Sequence, residues 1–323
     1  MLARRIAHYL TILAVVVAVN FLIPRLMPGS PIRTLVGEDT GEMTAAEKMG
    51  ILEAYHLTDP LHRQFGWYLR DLFTGNWGVS YSRRLPIARL LVPAAGWTLL
   101  LSGVTMVLSV SIGSFLGALS ALRRKKNHDL PLLLGTTLLS SVPPFWIAIL
   151  LLGVFSARLG WFPAYGAYSM WSGHAGLAKA LDIAWHMALP VLALVLTSVM
   201  PYFSAARFSV LKTVSEDYVR MARFRGLPEG RINAGYIMRN ALAPVFTMLM
   251  MDVGYLLSGS VLVETVFSYP GLGTLMRGAV TARDYPLIQY TFLISSVLTV
   301  AALFAADICY RWIDPAMEAG HAQ

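Results

Sequence analysis

The 323-residue sequence predicts an all-α polytopic membrane protein with six transmembrane helices and a helical external domain between spans one and two. Three observations lead there. Hydrophobic residues make up 56% of the chain and charged residues 14%, with a mean hydropathy of +0.58, whereas a soluble domain carries about 25% charged residues. The apolar residues gather into runs long enough to cross about 30 Å of hydrocarbon as helices. The cations of the short connecting segments are also unevenly shared. Fourteen fall on one side (Arg4, Arg5, Arg123, Arg124, Lys125, Lys126, Arg207, Lys212, Arg220, Arg223, Arg225, Arg231, Arg239, Arg311) and four on the other (Arg158, Lys179, Arg277, Arg283). Short cytoplasmic loops hold the excess of Lys and Arg, so the first set is inside. The same bias accounts for the net charge of +8 without nucleic acid,.

Residues 1–27 form a basic head and the first span, whose apolar run covers 6–23. A cleaved signal peptide is the alternative, but the run is long for one and Pro24, Arg25 and Pro28-Gly29-Ser30-Pro31 follow in place of a small-residue cleavage site,. Residues 28–95 are the one large soluble portion. Within them, 44–57 and 60–73 have amphipathic helical spacing, and Gly75-Asn76-Trp77-Gly78 closes the second helix,. His56 and His62 stand six apart with no carboxylate fixed beside them, a pattern of solvated histidines and not of a metal site,.

The remaining 96–323 hold five spans. Span two, 96–122, ends at Arg123-Arg124-Lys125-Lys126, and its Gly103, Gly113 and Gly117 suit close helix approach,. Span three, 130–157, contains Pro143-Pro144, which predicts a kink,. An aromatic-rich outer loop, 160–182, precedes span four at 185–211, with Pro190 and Pro201 inside it. The apolar core of span five is 245–263, and Arg283-Asp284-Tyr285-Pro286 opens span six, which runs to about Trp312.

Between spans four and five lies a basic interruption, 213–244. Thr213 and Glu216 have capping-box spacing, which predicts a short helix starting there and stopping at Gly226,. Val214, Tyr218, Met221 and Ala222 share one face, with Glu216, Arg220 and Arg223 away from it,. A turn, 227–230, then leads to a second basic segment, 231–240. The reading is a helix–turn–helix elbow outside the membrane.

Catalytic motifs are absent. The chain has no GxxxxGK[ST] phosphate loop, no HExxH and no GxSxG, and its single cysteine, Cys309, rules out an internal disulfide,. Energy for any pumping must therefore come from a partner. The elbow either enters a groove on such a partner with its apolar face, Arg220 and Arg223 pairing at the rim, or lies on the inner leaflet.

The elbow resembles the cytoplasmic coupling segment of permease subunits of ATP-binding-cassette importers, in the branch that carries dipeptides, oligopeptides and nickel complexes. The resemblance rests on Tyr218-Val219-Arg220, Ala222-Arg223, Gly226-Leu227 and Arg239-Asn240-Ala241-Leu242 with Pro244. Glu264-Thr265-Val266-Phe267, Pro270-Gly271-Leu272-Gly273, Arg283-Asp284-Tyr285-Pro286 and Asp314-Pro315 extend it. The generic importer signature begins Glu-Ala-Ala, and Arg220-Met221-Ala222 stands in its place.

This resemblance implies the type I importer permease fold in a bacterial or archaeal cytoplasmic membrane, with both termini inside. It implies a second permease subunit in a heterodimer, two ATP-binding-cassette ATPase subunits, an external solute-binding protein and surrounding lipid as partners, and no nucleic acid. ATP and Mg would sit on the partner subunits, with no cofactor on this chain. Glu216, Tyr218, Val219, Arg220, Met221, Ala222, Arg223, Gly226 and Leu227 would couple it to ATP hydrolysis. A self-sufficient ion-coupled carrier or channel is the alternative, and several buried ionisable residues and inverted repeats would be its signs.

One carboxylate stands at bilayer depth. Asp252 falls near the middle of span five, where an ionised acid costs about 2.5 to 3.5 kcal/mol and so calls for a cavity or a bonded partner,. With Tyr202 and Met248 it makes the candidate pathway set. The competing readings are a carboxylate bonded to Ser, Thr or Tyr on a neighbouring helix, and a protonated acid. Glu264 and Asp307, near span ends, read as anchors or inter-helix bonds.

Overall fold

The computed structural model describes residues 2–26, 44, 46, 49, 50, 53, 58–123, 129–170 and 173–313. Most of the expected helix over 44–57, with His56, lies outside the described residues, as do Arg124, Lys125, Lys126 and Asp314-Pro315. The regular structure of the described residues is helical, apart from an isolated bridge between Val79 and Pro86.

The helices are α1 (Leu2–Leu26), α2 (Leu61–Thr74), α3 (Ile87–Leu122), α4 (Asp129–Ser140), α5 (Pro144–Leu151), α6 (Gly176–Val214), α7 (Asp217–Phe224), α8 (Glu229–Arg231), α9 (Arg239–Ala241), α10 (Ala243–Val266), α11 (Leu272–Thr281) and α12 (Tyr285–Ile313). Wide π turns, Leu152–Arg158 and Ile232–Met238, follow α5 and α8. Ile87–Leu122, Gly176–Val214 and Tyr285–Ile308 are each long and apolar enough to cross a membrane. Two further helices, Leu130–Ser140 and Pro144–Arg158, meet that test together but meet at 95°.

That bend is sharper than the expected kink, for a local reason. Pro144 disfavours the helical conformation of the residue before it, and Pro143 sits at ψ 139, fully extended,. The helix therefore stops, and Pro144 starts a new one where its missing N–H is not needed. By contrast Pro93, Pro190 and Pro201 stay inside continuous helices. Two spans are also longer than their apolar cores: α3 begins at Ile87 instead of 96, and α6 at Gly176 instead of 185.

The chain divides into two compact units. One comprises Met1–Trp97 and Pro270–Val300, the other Thr98–Tyr269 and Ala301–Gln323. In the first, Phe21, Tyr68, Leu91, Leu275, Leu287 and Leu293 make a buried core, with Trp77 stacked on Tyr290 at 5.7 Å. Asn20 Nδ2 donates to the Tyr68 hydroxyl at 3.1 Å, which satisfies both buried groups,. Helix α2 ends at Gly75 in the left-handed conformation, φ 73, as its sequence requires,.

In the second unit α3 and α6 press together at two glycines. A Cβ on Gly113 would stand 2.7 Å from the Tyr202 Cβ, and one on Gly117 would strike the Phe203 carbonyl. These two four-spaced positions allow backbone contact, the role expected of small residues in spans. Gly103 has nothing within 4 Å, so the same expectation fails there. Across the top of α10, Glu264 is wholly buried and accepts hydrogen bonds from Thr98 Oγ1 at 2.8 Å and Ser260 Oγ at 3.1 Å. It is the inter-helix tie expected of it.

Candidate functional site

The elbow is built on the ends of two long helices. Val219 and Ala222 of α7 are buried with Ile232 and Ile237 of the following wide turn, against Ala118 and Ala121 of α3 and Val210 of α6. Helical spacing puts Val219 and Ala222 on one side, and burying that side fixes α7 to the membrane-spanning core.

Its start differs from the expected capping box. Thr213 is buried within the last turns of α6, and Glu216, at ψ 146, is the residue before α7 with no side-chain cap. The Glu216 N–H donates to the Thr213 carbonyl at 3.1 Å. The two residues therefore belong to different helices. The spacing was correct for a box, but α6 continues past it because its own residues stay buried to Thr213.

Its end is as the sequence requires. Gly226 has φ 70, its N–H donates to the Arg223 carbonyl at 2.9 Å, and Leu227 N–H donates to the Ala222 carbonyl at 3.3 Å. This pair of bonds is the Schellman arrangement, which needs a left-handed residue after the helix.

The apolar face is divided. Of the residues placed there from sequence, Ala222 is buried, whereas Tyr218 and Met221 are exposed. Phe224, three residues beyond Met221, is 84% exposed. Tyr218, Met221 and Phe224 thus form an outward apolar strip on a helix whose opposite side is closed. Phe224 was missed in the sequence, although its spacing from Tyr218 and Met221 carried the signal.

The charges of the elbow pair with one another. Arg220 meets Asp217 at 2.8 Å, and the Arg223 guanidinium reaches both Glu229 oxygens, at 2.9 and 3.5 Å. Asn240 Nδ2 donates to the Tyr218 hydroxyl at 3.0 Å and to the Tyr236 carbonyl at 2.9 Å, joining the two arms. Both arginines expected to seek a partner's carboxylates are therefore already engaged within the elbow.

The three residues of the second set converge. Tyr202 of α6 is buried with Ala206 and Val245, and Met248 of α10 packs on that cluster. The Tyr202 hydroxyl lies beside the half-buried Asp252 carboxylate without closing a hydrogen bond of standard geometry. Elsewhere in this unit a groove of about 650 Å³ between α3 and α6 is lined by Val104, Leu108, Ile183, Met187 and Val191. Its walls are almost entirely apolar. Among the described residues no group of three or more His, Cys, Asp or Glu is placed to hold a metal ion.

Residues 113–319 match the family model for the inner membrane component of binding-protein-dependent transport systems. That stretch contains the elbow, both glycines of the α3–α6 seam and the Asp252 set. The chain belongs to this family. Among curated relatives, the oligopeptide transport system permease protein AppB of Bacillus subtilis is 31% identical over 316 residues, covering 98% of both chains. The glutathione transport system permease protein GsiC of Salmonella typhimurium is 34% identical over 319 residues, covering 97% of both. The dipeptide transport system permease protein DppB of Alkalihalophilus pseudofirmus is 30% identical over 326 residues, again covering 97% of both. The fold is shared with an inward-facing structure of the MetNI methionine ABC transporter, at TM-score 0.58 and 14% identity over 71% of this chain and 98% of that one. As a family member the chain is a multi-pass permease component of a binding-protein-dependent importer.

Proposed function

We propose that the chain is one of two permease subunits of an ATP-driven importer in a bacterial or archaeal cytoplasmic membrane. It forms half of the pathway for peptides or related small solutes, metal chelates included, delivered by an external binding protein. ATP and Mg are bound by two ATPase subunits on the cytoplasmic side, together with the elbow and both termini, an orientation that the excess of cations in the short segments supports. Oligopeptides, dipeptides and glutathione in the names of the relatives favour a peptide-like solute.

The observation that carries this reading is the outward strip of Tyr218, Met221 and Phe224. A soluble helix hides its apolar side, and here the hidden side is a different one, Val219 and Ala222. An amphipathic helix with a second apolar face suits a groove on another protein. With Arg220 and Arg223 neutralised inside the elbow, that contact is apolar at its centre. Glu216, Leu227 and Gly226 hold the helix in position, and the surface that transmits the ATPase stroke is Tyr218, Met221 and Phe224.

The test uses the assembled transporter in lipid vesicles. Met221→Glu combined with Phe224→Glu places two carboxylates on the strip without touching the buried side. Solute-stimulated ATP hydrolysis is expected to fall about ten-fold or more, the scale of losing a central interface anchor. Unchanged stimulation in a correctly inserted variant overturns the assignment.

A further inference from the structure

We propose that Arg83, Arg84, Arg277 and Arg283 form a preorganised cationic platform that receives an acidic rim on the solute-binding protein. The inference rests on the orientation given under Proposed function, which puts this part of the first unit outside.

The platform is assembled by one buried acid. Asp284, 1% exposed, accepts hydrogen bonds on Oδ2 from Ser80 Oγ at 2.5 Å, Ser82 Oγ at 2.8 Å and the Ser82 N–H at 3.0 Å, and on Oδ1 from the Leu287 N–H at 3.2 Å. Burial alone would raise its pKa, but these four donors prevail and hold it below the ordinary aspartate value,. The carboxylate is thus consumed internally. It fastens the turn bearing Arg83 and Arg84 to the segment bearing Arg283.

That turn is itself closed by the Val79–Pro86 bridge, with Ser80 N–H donating to the Leu85 carbonyl at 2.9 Å and Arg84 N–H to the Ser80 carbonyl at 2.8 Å. From it Arg83 reaches α11, its Nη2 standing 3.6 Å from the place a Cβ on Gly278, the residue after Arg277 in the chain, would occupy. Two of the arginines are strained. Arg84 and Arg283 have φ 53 and 51, a left-handed backbone that costs a non-glycine residue about 1 kcal/mol or more,. Such strain persists where surrounding contacts impose it, and here the Asp284 ties do so.

All four arginines are exposed, and among the described residues none pairs with a carboxylate. Membrane insertion selects against cations in short outer segments, yet two of the four there, Arg277 and Arg283, stand in this one place,. Anionic lipid headgroups would satisfy such cations, but they are fluid and adapt to flexible side chains. A fixed backbone with two strained arginines instead suits a partner with fixed charges, for which complementarity sets register and association rate. The external partner that must find this permease repeatedly is the protein that delivers solute.

The experiment places the complete transporter in nanodiscs of neutral phosphatidylcholine and measures association of the solute-loaded binding protein from the same gene cluster, over a range of ionic strength. Arg83→Glu with Arg84→Glu, and separately Arg277→Glu, are expected to slow association about ten-fold at low salt and to flatten its salt dependence. The Arg277 variant leaves the strained turn untouched, so a folding defect in the first does not decide the outcome. Unaltered rate and salt dependence in both variants overturn the platform, while binding and stimulated ATP hydrolysis by the parent transporter still support the permease reading. Absence of both in the parent overturns that reading itself. A defect seen only when anionic lipid is added assigns the arginines to headgroups and overturns the protein partner.

Discussion

Two carboxylates on α10 stand in opposite circumstances. Glu264 is wholly buried and its oxygen is met by Thr98 and Ser260. Asp252, three turns earlier on the same helix, is half-buried, and its described polar neighbour is the Tyr202 hydroxyl, which does not close a standard bond to it. Burial therefore does not by itself mark a working acid. What separates the two, among the described residues, is whether the carboxylate accepts hydrogen bonds of standard geometry. The elbow repeats the contrast with apolar groups: Val219 and Ala222 are used up, whereas Met221 and Phe224 are left over.

The strongest way to break this contrast is to remove the consumed acid. Glu264→Ala removes the acceptor shared by Thr98 Oγ1 and Ser260 Oγ and leaves a void at a wholly buried site, at a cost of about 2 kcal/mol,. Unfolding in detergent should show that loss, and Glu264→Gln, which keeps an acceptor, should recover more than half of it. Equal losses from the two variants would mean that Glu264 acts through its charge, and the contrast with Asp252 would collapse.

The same distinction explains what could be read from the sequence. Three of the six expected spans, Ile87–Leu122, Gly176–Val214 and Tyr285–Ile308, were legible because apolar length is a property of consecutive residues,. The left-handed stop at Gly226 was legible for the same reason. Groups consumed by distant partners were not: Ser80 and Asp284 are 204 residues apart, and nothing local to either announces the other. The capping box failed because Thr213 answered to the burial of α6 instead of to its own neighbours. Helical spacing groups Tyr218, Met221 and Ala222, yet Ala222 is buried while Tyr218 and Met221 are exposed, because only packing decides which side of a short helix closes. Tyr202 lies beside Asp252 and packs with Met248, an arrangement across two helices that no local pattern displays.

A smaller effect is expected at the boundary between consumed and free surfaces. Gly226→Val puts a β-branched residue at φ 70, costing about 1–2 kcal/mol locally and opening the two bonds that end α7,. Transport and solute-stimulated ATP hydrolysis should fall several-fold while insertion and thermal unfolding of the complex match the parent. Normal coupling in the variant would show that the exact seating of α7 is unimportant and would remove the elbow from the mechanism.

The smallest effect on stability, and the most selective on function, is expected at Asp252. If its charge is unspent because it serves the solute route, Asp252→Asn keeps the size and most of the hydrogen-bonding capacity while removing only the charge. One unit charge acting over several ångströms in a partly hydrated site contributes on the order of 1 kcal/mol, so uptake of a lysine-containing dipeptide should fall about five-fold. Uptake of an uncharged dipeptide should change little, and unfolding in detergent should be unaltered. A carboxylate that serves as a helix tie behaves otherwise, with stability falling as it does for Glu264 and with no dependence on cargo charge. Parallel uptake of the two dipeptides into the same vesicles distinguishes these cases. An equal change for both places Asp252 with Glu264 among the consumed groups, and Tyr202 and Met248 then become packing around it.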